Sequence, residues 1–263
     1  MTGVFSGSID GTFLGKPSPH IEKWIKDYES PVRSYVQDGL VAMWDGIENA
    51  GFGVHEPMPL KWMDVSGHGF DMVVSQIVGT GEITFNDNHV LKEGYVTYPG
   101  MDTGIILVDG VHTIEACMTF VSFESQNRHS GVGAYPVAIV NNHKSPMYGQ
   151  FSSPTYHYRR GFFRVDHEKY SGTFSHVQTG YSSDGNLNPT YFDGAPTISN
   201  VGGWYGSTTN RLYVTPITSS ESLASPPASG VQRIYNVRVY SRALAADEVA
   251  RNAAVDKKRF NLP

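Results

Sequence analysis

The feature that most constrains the fold of this sequence is an alternation of apolar and polar residues, which recurs from about residue 38 onward. The longest run is HTIEACMTFVSF at 112–123. Successive side chains of a β-strand point to opposite faces, so this alternation predicts a strand with one apolar face. The apolar face carries Ile114, Ala116, Met118 and Phe120. The opposite face carries Thr113, Glu115, Cys117 and Thr119.

Shorter strand patterns surround this run, and residues such as Gly, Pro, Asn and Ser separate them. They fall at 40–44, 83–85, 94–98, 136–141, 161–165, 174–181, 211–217 and 231–241. Many short strands joined by turn-forming residues are typical of a β-sandwich or jelly roll. With 40% hydrophobic residues the chain can bury a core of that size. We therefore predict an all-β fold, a two-sheet antiparallel jelly-roll β-sandwich over residues 37–263.

Two helical patterns flank the strands. In SPHIEKWIKDYESP, Ser18 can cap a helix, Pro19 suits its first position and Pro31 ends it. The apolar residues of this segment share one face through their i, i+3, i+4, i+7 spacing; they are Ile21, Trp24, Ile25 and Tyr28. Residues 244–260 form the second pattern, with acidic residues early and basic residues late, as the helix dipole favours. The sequence thus predicts an N-terminal helical arm (1–36) and a C-terminal helix.

Composition argues against several classes of partner. The formal net charge is −5, and no basic patch suggests binding to nucleic acid or to an anionic membrane. No segment approaches the roughly 18 apolar residues of a membrane span. The N-terminus has no basic start followed by an apolar run, so no signal peptide is expected. The one cysteine, Cys117, cannot form an intrachain disulfide and is predicted to be a buried strand residue.

Several segments resemble laminin G-like domains of the concanavalin A superfamily. GLVAMWDGIENAG followed by WMDVSGHGFDM is similar to the opening strand and turn of that family, and HTIEACMTF and FSHVQTGYSSDG resemble a later strand and hairpin. The ending RIYNVRVYSRALAADEVARN resembles the family's last strand and helix, with matches at Tyr240, Arg242, Leu244 and Glu248. These landmarks keep the family's order from residue 39 to about 260, which implies a concanavalin A-like sandwich.

The opening DGLVAMWDGIENAG and the ending AVDKKRF also resemble, in style, proteins of gut bacteria and of their phages. That resemblance implies a surface or virion protein. A helix as short as the predicted N-terminal one is marginal alone, so its apolar stripe must dock on something. We expect residues 1–36 to anchor the sandwich to other virion proteins through Ile21, Trp24, Ile25 and Tyr28. The alternative is that this helix packs on its own sandwich.

Catalysis is not expected from the carboxylates of the strands. The same fold carries laminarinase-type glucanases, and resemblance to them would require a pattern such as Glu-x-Asp-x-x-Glu on one strand. No such triplet occurs; Glu115 is the nearest strand carboxylate, and Thr113 and Cys117 flank it on its face. Because fold alone does not specify function, a glycoside hydrolase remains an alternative.

Metal-binding patterns are incomplete. DVSGHGFD (64–71) resembles a calcium loop in that Asp64, Ser66 and Asp71 offer oxygens, but a complete loop has more carboxylates and a bidentate acid at its end. We therefore predict a turn and no cofactor, with calcium at Asp64 and Asp71 as the alternative. Histidines without zinc-site spacing are His143, His157, His167 and His176. His176 is predicted to be a hydrogen-bonded core residue.

Aromatic residues in Gly-, Ser-, Thr- and Asn-rich segments are the candidate ligand contacts. They are Tyr148, Tyr156, Tyr158, Tyr191, Trp204 and Tyr205. Sugar sites combine flat aromatic faces with a few polar groups, so these segments are suited to a glycan. The alternative is that they pack the rim of the sandwich or a subunit interface.

The function predicted from these observations is non-catalytic recognition or attachment by a glycan-binding or adhesive module. We expect it on the surface of a phage particle, as a head fibre, decoration or tail-associated protein, and as a homo-oligomer. The alternatives are a polysaccharide-active glycoside hydrolase of the same fold and a purely structural virion component without a ligand.

Overall fold

The computed structural model describes residues 31–51, 53–73, 82–93, 101–107, 111–124, 137–141, 171–179, 189–197, 210–214 and 229–263. Its helices in these ranges are a single 3-10 turn (Pro31–Ser34) and α1 (Ala246–Phe260). Its strands are β1 (Leu40–Asp45), β2 (Lys61–Trp62), β3 (Met72–Val73), β4 (Glu82–Asn86), β5 (His89–Glu93), β6 (Met101–Leu107), β7 (His112–Glu124), β8 (Val137–Asn141), β9 (Ser171–Gln178), β10 (Thr190–Phe192), β11 (Ala195–Thr197), β12 (Asn210–Val214) and β13 (Ser229–Tyr240). In the described part of the chain, no helix is long and apolar enough to cross a membrane.

The strands form two sheets, and all pairings between the described strands are antiparallel. The eight-stranded sheet has the order β11-β10-β9-β7-β13-β5-β4, and β1 also pairs with β13. This is possible because β13 is long: Gln232–Ile234 pair with β5, and Asn236–Tyr240 pair with β1. The five-stranded sheet has the order β2-β3-β6-β12-β8.

The main core lies between the inner faces of the two sheets. The eight-stranded sheet contributes Ala42, Trp44, Phe85, Val90, Ile114, Ala116, Met118, Phe174, Ile234, Val237 and Val239, and the five-stranded sheet contributes Trp62, Met72, Met101, Ile105, Leu212 and Val214. The indole N–H groups of Trp44 and Trp62 donate to the carbonyls of Phe70 and Asp45, at 2.8 and 2.9 Å. Their polar atoms are thereby satisfied, which allows both large rings to be fully buried.

A second apolar cluster lies on the outer face of the eight-stranded sheet, under α1. It contains Val32, Tyr35, Val36, Leu40, Met43, Val177, Tyr191, Tyr240, Leu244 and Val249. Helix α1 contributes Val249, while the chain just before β1 contributes Val32 and Tyr35. The central part of the eight-stranded sheet is therefore covered on both faces, by the other sheet and by α1 with residues 31–36.

The predicted all-β antiparallel sandwich with a C-terminal helix is confirmed. Ile114, Ala116 and Met118 face the main core, as the alternation predicts. The sequence patterns do not predict strands β2, β3, β5, β6, β10 and β11. In β6, Gly104 at φ 73 interrupts the alternation. The predicted strands at 94–98 and 161–165 lie outside the described residues.

The described part of the predicted arm packs as part of the sandwich. Val32, Tyr35 and Val36 are 4%, 0% and 5% exposed. The backbone N–H of Val36 also donates to Asn252 Oδ1 at 2.9 Å, which joins this segment to α1. Residues 31–36 therefore belong with the domain and not with a separate arm. The anchor residues Ile21, Trp24, Ile25 and Tyr28 lie outside the described residues.

Candidate functional site

The interface between α1 and the eight-stranded sheet contains a fully buried group of charges. Arg238 on β13 contacts Glu115 on β7 and Asp256 on α1, and all three side chains are 0% exposed. Arg238 Nε donates to Glu115 Oε2 at 2.9 Å, while Nη1 and Nη2 donate to Asp256 Oδ1 and Oδ2 at 2.8 and 2.7 Å. This two-bond fork is the geometry in which arginine binds carboxylates most strongly. We call Glu115, Arg238 and Asp256 the buried ion cluster.

Neutral side chains donate further hydrogen bonds to Asp256. Its Oδ1 accepts hydrogen bonds from Tyr35 Oη at 2.7 Å and from Asn236 Nδ2 at 2.6 Å, and its Oδ2 accepts one from Thr173 Oγ1 at 2.6 Å. The ring of Tyr35 also lies 4.3 Å from the guanidinium carbon of Arg238. Each oxygen of this carboxylate has several donors, which is the condition under which a buried charge is tolerated.

Glu115, the strand carboxylate nearest to a catalytic pattern, is enclosed in this interface. Its Oε1 accepts from Ser175 Oγ at 2.9 Å, and its Oε2 accepts from Asn252 Nδ2 at 2.8 Å in addition to Arg238. Desolvation raises the pKa of Glu115, and the nearby guanidinium of Arg238 opposes that shift. A carboxyl group without solvent exposure meets no substrate, so the contacts of Glu115 serve to hold α1 on the sheet.

A second ion pair fixes the first turn of α1. Arg242 Nη1 and Nη2 donate to Glu248 Oε2 and Oε1 at 2.7 and 2.6 Å. The Ala245 N–H donates to Glu248 Oε2 at 2.9 Å, so this carboxylate also satisfies a backbone donor at the start of the helix. Hydrogen bonds from Arg242 lower the pKa of Glu248 to about 2.

A third ionic group fixes the last turn of α1. Arg259 donates through Nε to Asp45 Oδ2 and through Nη2 to Glu48 Oε1, both at 3.0 Å. Asp45 is the last residue of β1, and its side chain is 0% exposed. The helix is thus tied to the sheet at its start, its centre and its end.

Asp64 organises a turn with its carboxylate. Its Oδ1 accepts the backbone N–H groups of Met43 and Ser66 at 3.0 and 2.9 Å, and its Oδ2 accepts that of Phe70 at 3.0 Å. Asp71 Oδ1 accepts the N–H of Asp64 at 3.0 Å. Within the described ranges, no group of three or more His, Cys, Asp or Glu side chains is arranged to hold a metal ion. These contacts favour the predicted turn over the calcium loop.

Two histidines lie in the described sandwich close to each other. His176 on β9 is 1% exposed, in the buried position predicted for it, and its ring centroid lies 6.5 Å from that of His112 on β7. The other histidines considered for a metal site, His143, His157 and His167, lie outside the described residues.

Of the aromatic ligand candidates, Tyr191 alone falls in a described range. It lies on β10 instead of a loop, and it is 8% exposed because it packs in the cluster beneath α1. Its predicted loop position is therefore wrong, and its ring contributes to packing. The remaining candidates, Tyr148, Tyr156, Tyr158, Trp204 and Tyr205, lie outside the described residues.

The outer face of the five-stranded sheet contrasts with the covered eight-stranded sheet. Val73 on β3 is 52% exposed, and the side chain of its neighbour Lys61 on β2 is 51% exposed. At Gly104 in the middle of β6, an added Cβ would meet no atom within 4 Å. The register between β6 and β12 shifts beside this glycine, as in a β-bulge. Bulges and strand glycines often mark places where another group approaches the backbone.

The register also shows which strand ends of the five-stranded sheet lie side by side. Asn141, the last residue of β8, is the partner of Asn210, the first residue of β12. The chain that follows β8 and the chain that precedes β12 therefore join the sheet at adjacent positions. At the opposite edge, beside β2, Met58 and Leu60 are 87% and 86% exposed.

Comparison with known proteins finds similarity to solved structures only. No family model and no curated protein matches the sequence. Trypanosoma rangeli sialidase in complex with 2,3-difluorosialic acid is similar in structure at a TM-score of 0.49 and 15% identity, over 84% of this chain and 33% of that chain. The botulinum neurotoxin serotype G binding domain is similar at a TM-score of 0.47 and 12% identity, over 83% of this chain and 51% of that chain. The chain thus spans between a third and half of these proteins.

The fold and the contacts described above define the class: an all-β, two-sheet antiparallel sandwich closed by a C-terminal helix. The laminin G-like assignment stays a prediction, because it rests on the sequence motifs alone.

Proposed function

We propose that this protein is a non-catalytic recognition or attachment module that binds a glycan on the five-stranded side of its sandwich. The asymmetry of the two sheets carries the proposal. Helix α1 and residues 31–36 cover the outer face of the eight-stranded sheet, whereas Val73 and Lys61 are half exposed on the five-stranded sheet. Half-exposed side chains such as these are accessible to a ligand.

The candidate aromatic residues support a site at one end of this sheet. Tyr156 and Tyr158 follow β8, and Trp204 and Tyr205 precede β12. Because Asn141 and Asn210 are register partners, the two aromatic-rich segments start from adjacent points. Aromatic rings stack against the apolar faces of sugars, and nearby polar groups fix the orientation of the hydroxyls.

The surroundings of Glu115 support the non-catalytic part of the proposal. Retaining glycosidases need two carboxyl groups about 5–5.5 Å apart that flank a substrate. Glu115 is instead paired with Arg238 and fully buried. A glycoside hydrolase would therefore have to use carboxylates other than this one.

A glycan array with the full chain tests binding. We expect the double variant Trp204→Ala/Tyr205→Ala to weaken binding of any glycan found by roughly 5- to 150-fold, since each stacked ring contributes about 0.5–1.5 kcal/mol. The matched control is Met58→Ala/Leu60→Ala, which removes two exposed apolar side chains at the opposite edge of the same sheet. Equal binding by both variants would contradict the proposed site. A protein that binds no glycan would favour the structural alternative.

A reducing-sugar assay on the purified protein tests the absence of catalysis. We expect no sugar release from the polysaccharides that the protein binds. Sugar release by the purified natural protein would overturn the non-catalytic proposal and favour the glycoside hydrolase. Loss of that release in Glu115→Gln, with the melting temperature retained, would show that Glu115 itself takes part.

We further propose that residues 1–30 attach the sandwich to a larger assembly, and that this assembly is the phage particle suggested by the style of the sequence. The apolar stripe of Ile21, Trp24, Ile25 and Tyr28 supports this proposal. Residues 31–36 support it too, because they pack with α1 on the side of the sandwich opposite the proposed glycan face. Attachment there would leave the five-stranded sheet free at the virion surface. The same segment would mediate any homo-oligomer.

A truncated chain that starts at Pro31 tests this attachment. It keeps Tyr35, whose hydroxyl donates to Asp256, so the fold described here stays intact. We expect an unchanged melting temperature, together with loss of self-association in light scattering and loss of incorporation into particles. A melting temperature that falls by several degrees would show that the segment packs on its own sandwich.

A further inference from the structure

The buried ion cluster holds more negative than positive charge. Glu115 and Asp256 supply two carboxyl groups, Arg238 supplies one guanidinium, and all three side chains are 0% exposed. Charge in a protein interior is costly unless a counter-charge balances it. When both carboxyl groups are ionised, the cluster has one excess negative charge, and one bound proton removes that excess.

Hydrogen bonds indicate which carboxyl group takes the proton. Asp256 accepts hydrogen bonds from both terminal nitrogens of Arg238 and has a further donor on each oxygen, so both of its oxygens act as acceptors. Among the described residues, Glu115 Oε1 accepts one hydrogen bond, from the Ser175 hydroxyl at 2.9 Å, whereas its Oε2 accepts two from N–H groups. A hydroxyl can donate or accept, so Ser175 can turn and accept a hydrogen bond from a protonated Glu115.

The other groups that face Glu115 do not compete for this proton. They come from β13 (Arg238 and Tyr240), from α1 (Asp256), from the segment before β1 (Tyr35) and from β9 (the hydroxyls of Thr173 and Ser175). Burial raises the pKa of both tyrosines, which are therefore neutral at and below pH 7. In the part of the chain that the structure describes, Arg238 and Asp256 remain as the charged groups that act on Glu115.

We propose that the buried ion cluster is a proton-linked latch, which holds α1 and residues 31–36 on the sandwich more tightly at mildly acidic pH than at alkaline pH. Asn252 connects the parts: its Nδ2 donates to Glu115 at 2.8 Å, and its Oδ1 accepts the Val36 N–H at 2.9 Å. Tyr35 adds a second connection through its 2.7 Å hydrogen bond to Asp256. A charge on Glu115 is thus linked to the packing of both α1 and residues 31–36 on the sandwich.

The direction of the effect follows from proton linkage. The pKa of Glu115 in the fold lies above its ordinary value of 4.5, because burial disfavours the charged form. The folded protein therefore binds this proton more tightly than the unfolded chain does. The free energy of unfolding that this proton contributes is fully present below about pH 4.5, and it is lost as the pH rises through the pKa of Glu115 in the folded protein.

Unfolding of the full chain in urea from pH 4.5 to 8.5, beside Glu115→Gln, tests the latch. The glutamine resembles protonated Glu115, since its oxygen can face Arg238 and Asn252 while its NH₂ donates to Ser175. Titratable groups that both proteins share affect both unfolding constants equally, so they cancel in the ratio of the two constants. We expect the unfolding constant of the natural protein, relative to the variant, to rise with pH by up to about tenfold per pH unit before it levels off. A ratio that stays constant or falls with pH would overturn the proposal.

Two further measurements locate the effect. Carbon-13 NMR of the natural protein follows the carboxyl group of Glu115 directly, and we expect its titration midpoint above 4.5. A midpoint at or below 4.5 refutes the latch even where Glu115→Gln fails to fold. Hydrogen exchange of the Val36 amide, corrected for its intrinsic pH dependence, should show protection that falls as the pH rises above 4.5 in the natural protein but not in the variant. Equal losses in both proteins would contradict the link to residues 31–36.

Discussion

Replacement of Arg238 by methionine is the most direct test of how α1 is held on the sandwich. Arg238 donates to Glu115 at 2.9 Å, to Asn236 at 3.0 Å and to Asp256 at 2.8 and 2.7 Å, and its side chain is fully buried. Methionine has a similar length, so the cavity is small, but two carboxyl groups lose their counter-ion. Removal of one partner from a buried ion pair costs about 3–5 kcal/mol. At about 2–4 °C per kcal/mol for a domain of this size, the melting temperature should fall by roughly 6–20 °C.

Thermal and urea unfolding of the full chain measure this loss. The matched control is Arg242→Met, which removes the same type of side chain from a paired carboxylate, Glu248, at the surface end of the same helix. The Arg242 side chain is 29% exposed, so we expect that change to cost only about 1 kcal/mol. Arg238→Lys keeps the charge but not the fork, and its effect should lie between the two. Equal losses for Arg238→Met and Arg242→Met would refute the argument that burial makes the central cluster decisive.

Three further predictions follow from single contacts. Tyr35→Phe keeps the ring over Arg238 and removes the hydroxyl that donates to Asp256, so urea unfolding should show a loss of about 1.5–3 kcal/mol; no loss would mean that the hydroxyl is dispensable. Asp64→Ala removes three hydrogen bonds from backbone N–H groups, so the free energy of unfolding should fall by about 2–4 kcal/mol, more than in Asp71→Ala, which removes one. Millimolar calcium should leave the melting temperature of the natural protein unchanged. The ion pair with Arg242 lowers the pKa of Glu248 to about 2. Its contribution to the free energy of unfolding, about 1 kcal/mol, is therefore present above pH 4.5 and is lost as the pH falls towards 2. Melting curves of Glu248→Gln should lack this loss at acidic pH.

The sandwich could be predicted because its strands alternate in sequence as they do in space. In β7, Ile114, Ala116 and Met118 face the main core, and the alternation alone identifies this face. A strand whose alternation is interrupted is harder to find. In β6, Gly104 adopts a positive φ beside a register shift, so the sequence of this strand lacks a continuous period of two.

The buried ion cluster could not be predicted from the same pattern. The alternation alone would assign the polar residues Thr113 and Glu115 of β7 to a solvent face, yet both are fully buried because α1 lies over them. Glu115 and Arg238 are more than a hundred residues apart, and only the antiparallel pairing of β7 with β13 makes them register partners. One signal was present in the sequence: Asn252 and Asp256, four residues apart, share a helix face with the apolar Val249. Polar residues on the apolar face of a helix indicate buried partners.

The matches that carry the resemblance at the end of the chain are structural residues, which limits what the resemblance implies about function. Tyr240 Oη accepts a hydrogen bond from Asn252, Leu244 is 4% exposed, and Arg242 pairs with Glu248 at the start of α1. All four residues secure the last strand and the helix that covers the eight-stranded sheet. A domain needs these contacts to close its sandwich whatever it binds on the opposite face. Similarity at these positions therefore bears on the fold and identifies neither a ligand nor its site.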